Sequence, residues 1–134
     1  MNPHIYTAAI IGTGRIGFSL GLDKKREQPA SHTMALLSNR RIRLVAGCDV
    51  DSQRLEEWGR FVKAARRYDS AGKLFDGELA ATGSIPDIVV VAVNEAAHHE
   101  TALAAIHHHP RLVILEKPVA LSSCLAQTIR ETAE

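Results

Sequence analysis

The chain lacks the residue types that would point to several function classes. Only two of its 134 residues are cysteines, Cys48 and Cys124, and they stand in apolar segments without metal-ligand spacing. A disulfide framework is thereby excluded, and both thiols are expected to be reduced and buried, as in a cytoplasmic protein. Charge of one sign is also missing, since sixteen basic and fifteen acidic side chains, interspersed along the chain, leave a net charge of +1. That balance gives no electrostatic footprint for nucleic acid or an anionic membrane, and neither is expected as a partner. Long hydrophobic runs are absent too, the longest uncharged one, Ile88 to Val93, falling far short of a bilayer span. The N-terminal MNPHIYTAA has neither the basic start nor the apolar core of a secretory leader. A soluble, cytoplasmic protein follows as the expectation.

What is present is an alternation of strand-length apolar runs with segments of helical period. Strands are predicted at Tyr6 to Ile11, Ile42 to Cys48, Asp87 to Val93 and Leu112 to Leu115, with a short one at Arg67 to Asp69. Runs apolar on both faces belong to a parallel sheet covered by helices on each side, joined by right-handed crossovers. The fold class is therefore α/β, a doubly wound and mostly parallel sheet. Asp51 caps a predicted helix whose Leu55, Trp58, Phe61, Val62 and Ala65 form one apolar stripe, which makes Trp58 a core residue. Further helices are expected from Ser70 or Ala71 to Ala80, from Glu95 to His108, and from a cap at Ser122 or Ser123 to the C-terminus. Residues 18–31 break the pattern with Gly21, a charge run and Pro29, and predict a surface excursion before a helix resumes at Ser31 or His32.

Two constellations carry chemistry. The first strand runs into Gly12-Thr13-Gly14-Arg15-Ile16-Gly17, a G-x-G-x-x-G turn in which Gly12 allows the tight turn, Gly14 the approach of a pyrophosphate, and Gly17 close helix packing. Free N–H groups of the helix opened by this turn would hold the anion. The second strand ends at Asp49, where a carboxylate can accept the adenosine ribose hydroxyls and repel a 2′-phosphate. NAD is expected over NADP. Asp49 stands 32 residues beyond Gly17, more than the usual spacing of about 20, and the excursion accounts for much of the excess. At the far end, an apolar strand delivers Glu116-Lys117-Pro118 to the edge where open parallel sheets bind ligands. A charged pair that simply carries a strand into solvent fits those residues equally well.

Together AAIIGTGRIG, LVAGCDVD, PDIVVVAVNEAAHHETALAAI and VILEKPVA, in that order, resemble the N-terminal domain of the glucose-fructose oxidoreductase/inositol dehydrogenase/rhizopine catabolism (Gfo/Idh/MocA) family. The resemblance implies a Rossmann domain of an NAD(P)-dependent oxidoreductase that moves hydride to or from a sugar, cyclitol or related polyol. Carried over by position, it implies Gly12, Thr13, Gly14, Arg15, Ile16 and Gly17 around the pyrophosphate and Asp49 on the ribose. It further implies Val93 and Asn94 beside the cofactor, His98 toward the nicotinamide end, Glu116 as an orienting or ribose-contacting group, and Lys117 as the catalytic ammonium. A local hydrogen bond on a helix face explains His98 equally well. Val93-Asn94-Glu95 departs from the family's usual Thr-Pro-Asn.

Family members continue into an α/β domain that supplies substrate-binding residues. Residues 1–134 are accordingly expected to form a nucleotide-binding domain without that C-terminal partner and without turnover of its own, so that a polyol or sugar would bind only with the second domain. His107 to His109 point in different directions at a helix end, and no metal is expected. A non-enzymatic cofactor sensor or scaffold is the alternative, and a reductase for an imine or biliverdin-like acceptor is a third.

Overall fold

A computed structural model describes residues 2–134. Five strands, β1 (Tyr6–Ile11), β2 (Ile42–Cys48), β3 (Arg66–Tyr68), β4 (Ile88–Val91) and β5 (Leu112–Leu115), pair in parallel in the order β3-β2-β1-β4-β5. Five helices, α1 (His32–Ser38), α2 (Ser52–Phe61), α3 (Ala71–Thr82), α4 (Glu95–His107) and α5 (Ser123–Ala133), complete the Rossmann-like α/β fold. Among the described residues no helix is long and apolar enough to cross a membrane.

Successive β1 residues serve opposite faces. Ala8 and Ile10 join Leu36, Trp58 and Val90 on one side, while Ala9 and Ile11 join Leu74, Phe75, Val91 and Ala105 on the other. The helices α1 and α2 thus cover one face, and α3 and α4 the other. Ala8 pairs with Leu44 but Ala9 with Ala46, so Val45 is an extra residue in β2. This bulge turns the following side chains to the opposite face and sets bare Gly47 beneath the Trp58 indole. Trp58 is fully buried, as its stripe position predicts, and its Nε1–H donates to Thr33 Oγ1 at 3.0 Å. Thr33 Oγ1 in turn donates to the Gly17 carbonyl at 2.6 Å, which carries the rigidity of the core into the glycine turn.

The excursion is where the prediction needed most correction. The glycine motif does not open a continuous helix: after a turn at Gly14–Phe18 and a single 3-10 turn at Ser19–Leu22, the chain loops out before α1 begins under its Ser31 cap. Within residues 23–31 Pro29, which follows a cis bond from Gln28, lacks the N–H an unbroken helix would need. The backbone N–H groups of His32 and Thr33 donate to the carbonyls of Ile16 and Gly17, at 3.0 Å each. They take the places that residues 20 and 21 would hold in an unbroken helix, so the loop inserts twelve residues into one interrupted helix. Without those twelve, Asp49 would stand about 20 residues past Gly17, the ordinary spacing.

Other boundaries shift for local reasons. Strand β4 is shorter than predicted at both ends, and Asp87, just before it, uses its carboxylate to accept the Thr7 N–H and hydroxyl. Strand β3 starts one residue early, so that Arg66 and Tyr68, two apart and on one side, both reach Glu78. Ser70 and Ser122 are the caps of α3 and α5, and α4 ends at His107. Cys48 is buried as expected, but Cys124 is exposed. It lies in the first turn of α5 about 140° around the helix from the buried Ile129.

Glu78 is the one acidic side chain at the bottom of this packing, 1% exposed, with both oxygens 2.6 Å from the Arg66 guanidinium. Burial alone would raise its carboxyl, yet hydrogen bonds from Arg66 and Tyr68 outweigh it and hold the group below its ordinary 4.5. Asp87 is likewise held below 3.8, chiefly by the Thr7 N–H and further by Arg111. Because both folded values are depressed, the unfolded chain takes up these protons first. The stability they contribute is complete above the ordinary values and is lost as pH falls through the folded ones. Glu78→Gln is expected to cost about 1–3 kcal/mol at pH 7, discounted because Arg66 is partly exposed. Urea unfolding measured from pH 7 to pH 3 should show a shallower acid loss in this variant than in the wild type; parallel curves would contradict the role given to Glu78.

Candidate functional site

All five strands point their C-terminal ends to one edge, and the ladder sets four of them level. Cys48 pairs with Ile11, Ile11 with Val91, and Val91 with Leu115. The next residues, Asp49, Gly12, Ala92 and Glu116, therefore form a row across the edge, about 14 Å long for three strand spacings.

The glycines divide by what requires them. Gly12 has φ +98°, and a Cβ there would stand 2.5 Å from the Ala92 carbonyl oxygen. A Cβ on Gly17 would overlap the Gly12 carbonyl, so its bareness serves packing within the turn. Gly14 has no such reason, since its nearest neighbour would be the flexible Arg54 Nη1 at 3.5 Å. Its open side faces a cavity of about 330 Å³ lined by Gly12, Gly14, Asp49, Arg54, Val93 and Asn94 among others. A cradle left bare without an internal cause fits an anion that must approach main chain. The Gly14 carbonyl accepts from Phe18 and Ser19, which leaves Arg15 and Ile16 in first-turn positions where N–H groups have no intrahelical acceptor.

Asp49 is the organiser of this turn. It is buried, and its Oδ2 accepts the Thr13 N–H at 2.9 Å and the Thr13 hydroxyl at 3.1 Å, while Oδ1 accepts the Asp51 N–H at 2.8 Å. A carboxylate offers about four acceptor positions, so one on Oδ1 remains for a ribose hydroxyl. Asp51 then caps α2 through the N–H groups of Gln53 and Arg54. Cys48 also lines the cavity, but burial, helped by the charge of Asp49, pushes its thiol up to about 12. It is no nucleophile.

Asn94 lies on the cavity wall and caps α4 by accepting the Ala97 N–H at 3.0 Å. The cavity wall does not include His98, Glu116 or Lys117. Glu116, level with Gly12, places Oε1 2.7 Å from His32 Nε2 and Oε2 3.2 Å from the backbone N–H of Lys117. Lys117 is exposed and joined to Pro118 by a cis peptide bond. His98 is 1% exposed, with Nδ1 2.7 Å from the Val119 carbonyl. The bond reaches a carbonyl 21 residues further along the chain, so it is a tertiary contact and not a local one within the helix. Among the described residues no group of three or more potential ligands is placed to hold a metal ion. His108 is spent on the Ala104 carbonyl and a stack against Phe75.

Sequence reasoning missed Arg54, Ser70, Thr101 and His32. Arg54 was open to inference from its place in the first turn after Asp49, the position that faces back over the glycine turn. The others depend on tertiary contacts that no local pattern carries.

The fold and this edge define a dinucleotide-binding Rossmann domain. The family model described as "Oxidoreductase family, NAD-binding Rossmann fold" (GFO_IDH_MocA) matches residues 6–134. The chain belongs to the Gfo/Idh/MocA oxidoreductase family and is its NAD-binding domain. Among solved structures it is similar to an oxidoreductase from Agrobacterium radiobacter in complex with NAD+, L-tartaric acid and magnesium, with 25% identity, TM-score 0.73, and coverage of 96% of this chain and 32% of that one. It shares its fold with the WlbA dehydrogenase of Chromobacterium violaceum in complex with NADH and UDP-GlcNAcA, at 22% identity, TM-score 0.74, and 99% and 33% coverage. A biliverdin reductase from Synechocystis, in complex with biliverdin and NADP+, shares it at 19% identity, TM-score 0.68, and 96% and 34% coverage. The chain thus spans about a third of the length of these structures. No match was found among curated proteins.

The two bare glycines give a discriminating pair of variants. Gly12→Ala is expected to lose at least about 2 kcal/mol, from the strained φ and the overlap with Ala92. Gly14→Ala should stay within about 0.5 kcal/mol of wild type yet weaken NAD+ at least about tenfold, or 1.4 kcal/mol. Thermal unfolding and calorimetric titration check both, and a Gly14→Ala protein that binds NAD+ normally would remove the pyrophosphate from this turn.

Proposed function

We propose that this domain holds the cofactor of an NAD-dependent oxidoreductase that moves hydride to or from the CH–OH carbon of a sugar, cyclitol or related polyol. The observation that carries the reading is the row of Asp49, Gly12, Ala92 and Glu116, with Gly14 bare beside it for no reason internal to the protein. The glycine turn would bind the pyrophosphate through first-turn N–H groups of Gly14, Arg15 and Ile16. Thr13 and Gly17 hold its shape. Asp49 would accept a ribose hydroxyl at its remaining Oδ1 position, and Val93 and Asn94 would border the path toward β5.

Bound NAD supplies the nicotinamide ring that takes up or returns the hydride. Lys117 would act at the substrate oxygen: in reduction its ammonium would stabilise the alkoxide that develops as hydride arrives at the carbonyl carbon and give that oxygen a proton, and in oxidation its neutral amine would take the carbinol proton as hydride leaves. Glu116 has one oxygen 2.7 Å from His32 Nε2 and accepts the Lys117 backbone N–H on the other, contacts that suit a residue orienting the lysine. His98 supports the same turn from below through Val119. The polyol or sugar itself would be completed by residues outside this domain.

The Asp49 carboxylate also sets the preference between cofactors. A 2′-phosphate would face a buried negative charge that the protein already needs for the turn. Titration of the chain with NADH and NADPH should show tighter binding of NADH by about tenfold or more, equivalent to 1.4 kcal/mol. Tighter NADPH would overturn the role given to Asp49 and turn attention to the neighbouring Arg54 guanidinium.

A further inference from the structure

The turn that carries Lys117 leaves the sheet after Leu115 and has no helix or ladder of its own until α5 begins at Ser123. Two imidazoles meet it. His32, in the first turn of α1, places Nε2 2.7 Å from Glu116 Oε1, with the two side chains 21% and 23% exposed. His98, in the first turn of α4, places Nδ1 2.7 Å from the Val119 carbonyl oxygen and is itself 1% exposed. The helices α1 and α4 cover opposite faces of the sheet, so the contacts fall before and after Lys117 and come from opposite sides.

We infer that His32 and His98 are positioning residues that grip the Glu116–Val119 turn between them and hold the Lys117 ammonium toward the cofactor edge. The inference rests on the proposed role of Lys117 and adds how that role is maintained. The chemistry of each contact fixes a tautomer. A carbonyl oxygen only accepts, so His98 carries its proton on Nδ1, and its buried Nε2, which has no partner among the described residues, is left as a lone pair rather than as an unpaired donor. His32 donates from Nε2 to the carboxylate, whose other oxygen accepts the Lys117 N–H. His32 is also tied by its backbone N–H to the Ile16 carbonyl. One residue therefore joins the glycine turn to the lysine turn across the end of β4, and the twelve-residue excursion delivers it there.

The conservative replacements differ at the two sites. Gln retains a donor near Nε2, so it should serve at position 32, while Asn retains one near Nδ1 and should serve at position 98. Lysine amines of the chain are labelled as ¹³C-dimethylamines, the Lys117 signal being the one lost in Lys117→Arg, and each protein is titrated with NAD+ while calorimetry reads affinity independently. In wild type, His32→Gln and His98→Asn, NAD+ should move the Lys117 signal. In His32→Ala and His98→Ala, NAD+ should still bind, but the movement should fall about fivefold, the effect of losing one buried hydrogen bond.

Alanine variants that bind NAD+ and move the Lys117 signal as far as wild type would overturn the grip. A wild type that binds NAD+ with an unmoved Lys117 signal would remove Lys117 from the site, and a wild type that binds none would remove the dinucleotide reading; either overturns the inference by its own readout. If an alanine variant does not fold, the wild-type imidazole ¹⁵N spectrum still decides, because a His98 ring with no proton on Nδ1 is incompatible with the bond to Val119.

Discussion

The hydrogen bonds from Thr13 to the Asp49 carboxylate are the constraint on which the rest of the site depends. They tie the end of β2 to the loop after β1, and they hold the backbone at Gly14 open toward the cavity. A buried carboxylate needs such donors to offset its desolvation, and here the donors are the very loop whose shape matters. Core packing reinforces the arrangement from the other side, through the chain of hydrogen bonds from Trp58 to Thr33 to the Gly17 carbonyl. The turn is preorganised before any ligand arrives, so little ordering cost remains for binding.

From that fixed point the sheet does the spacing. Parallel register places the Asp49 end and the Glu116 end of the site about three strands apart without any long loop having to be ordered. The interrupted first helix adds a further link. Because His32 and Thr33 are bonded to Ile16 and Gly17, the excursion changes the sequence spacing while α1 stays tied to the glycine turn. The edge gathers side chains from the ends of different strands, the place where open α/β sheets bind ligands.

Much of this was legible in the sequence because it is local. The strand at Tyr6–Ile11, the glycine turn, the Asp51 cap and the buried Trp58 each follow from spacing and residue type within a few positions. The excursion was visible as a breaker-rich segment, but not its outcome: that His32 takes the place of residue 20 requires knowing where the chain comes back. The same limit hid the His32–Glu116 contact, between residues 84 positions apart. Cys124 misled because apolar neighbours in sequence are not neighbours on a helix face. Asp49 was singled out for its place after β2, while its tie to Thr13 could only be seen once the loop was folded back over it.

The most direct measurement is an amide ¹H–¹⁵N correlation spectrum of the chain recorded during addition of NAD+. Shifts should concentrate at Gly12–Gly17, at Asp49–Arg54 and at Val93–Asn94, with the opposite sheet edge around Thr7, Arg43 and Ser84 unmoved. Shifts centred on that opposite edge, or none at saturating NAD+, would contradict a pyrophosphate seated on the bare main chain beside Asp49.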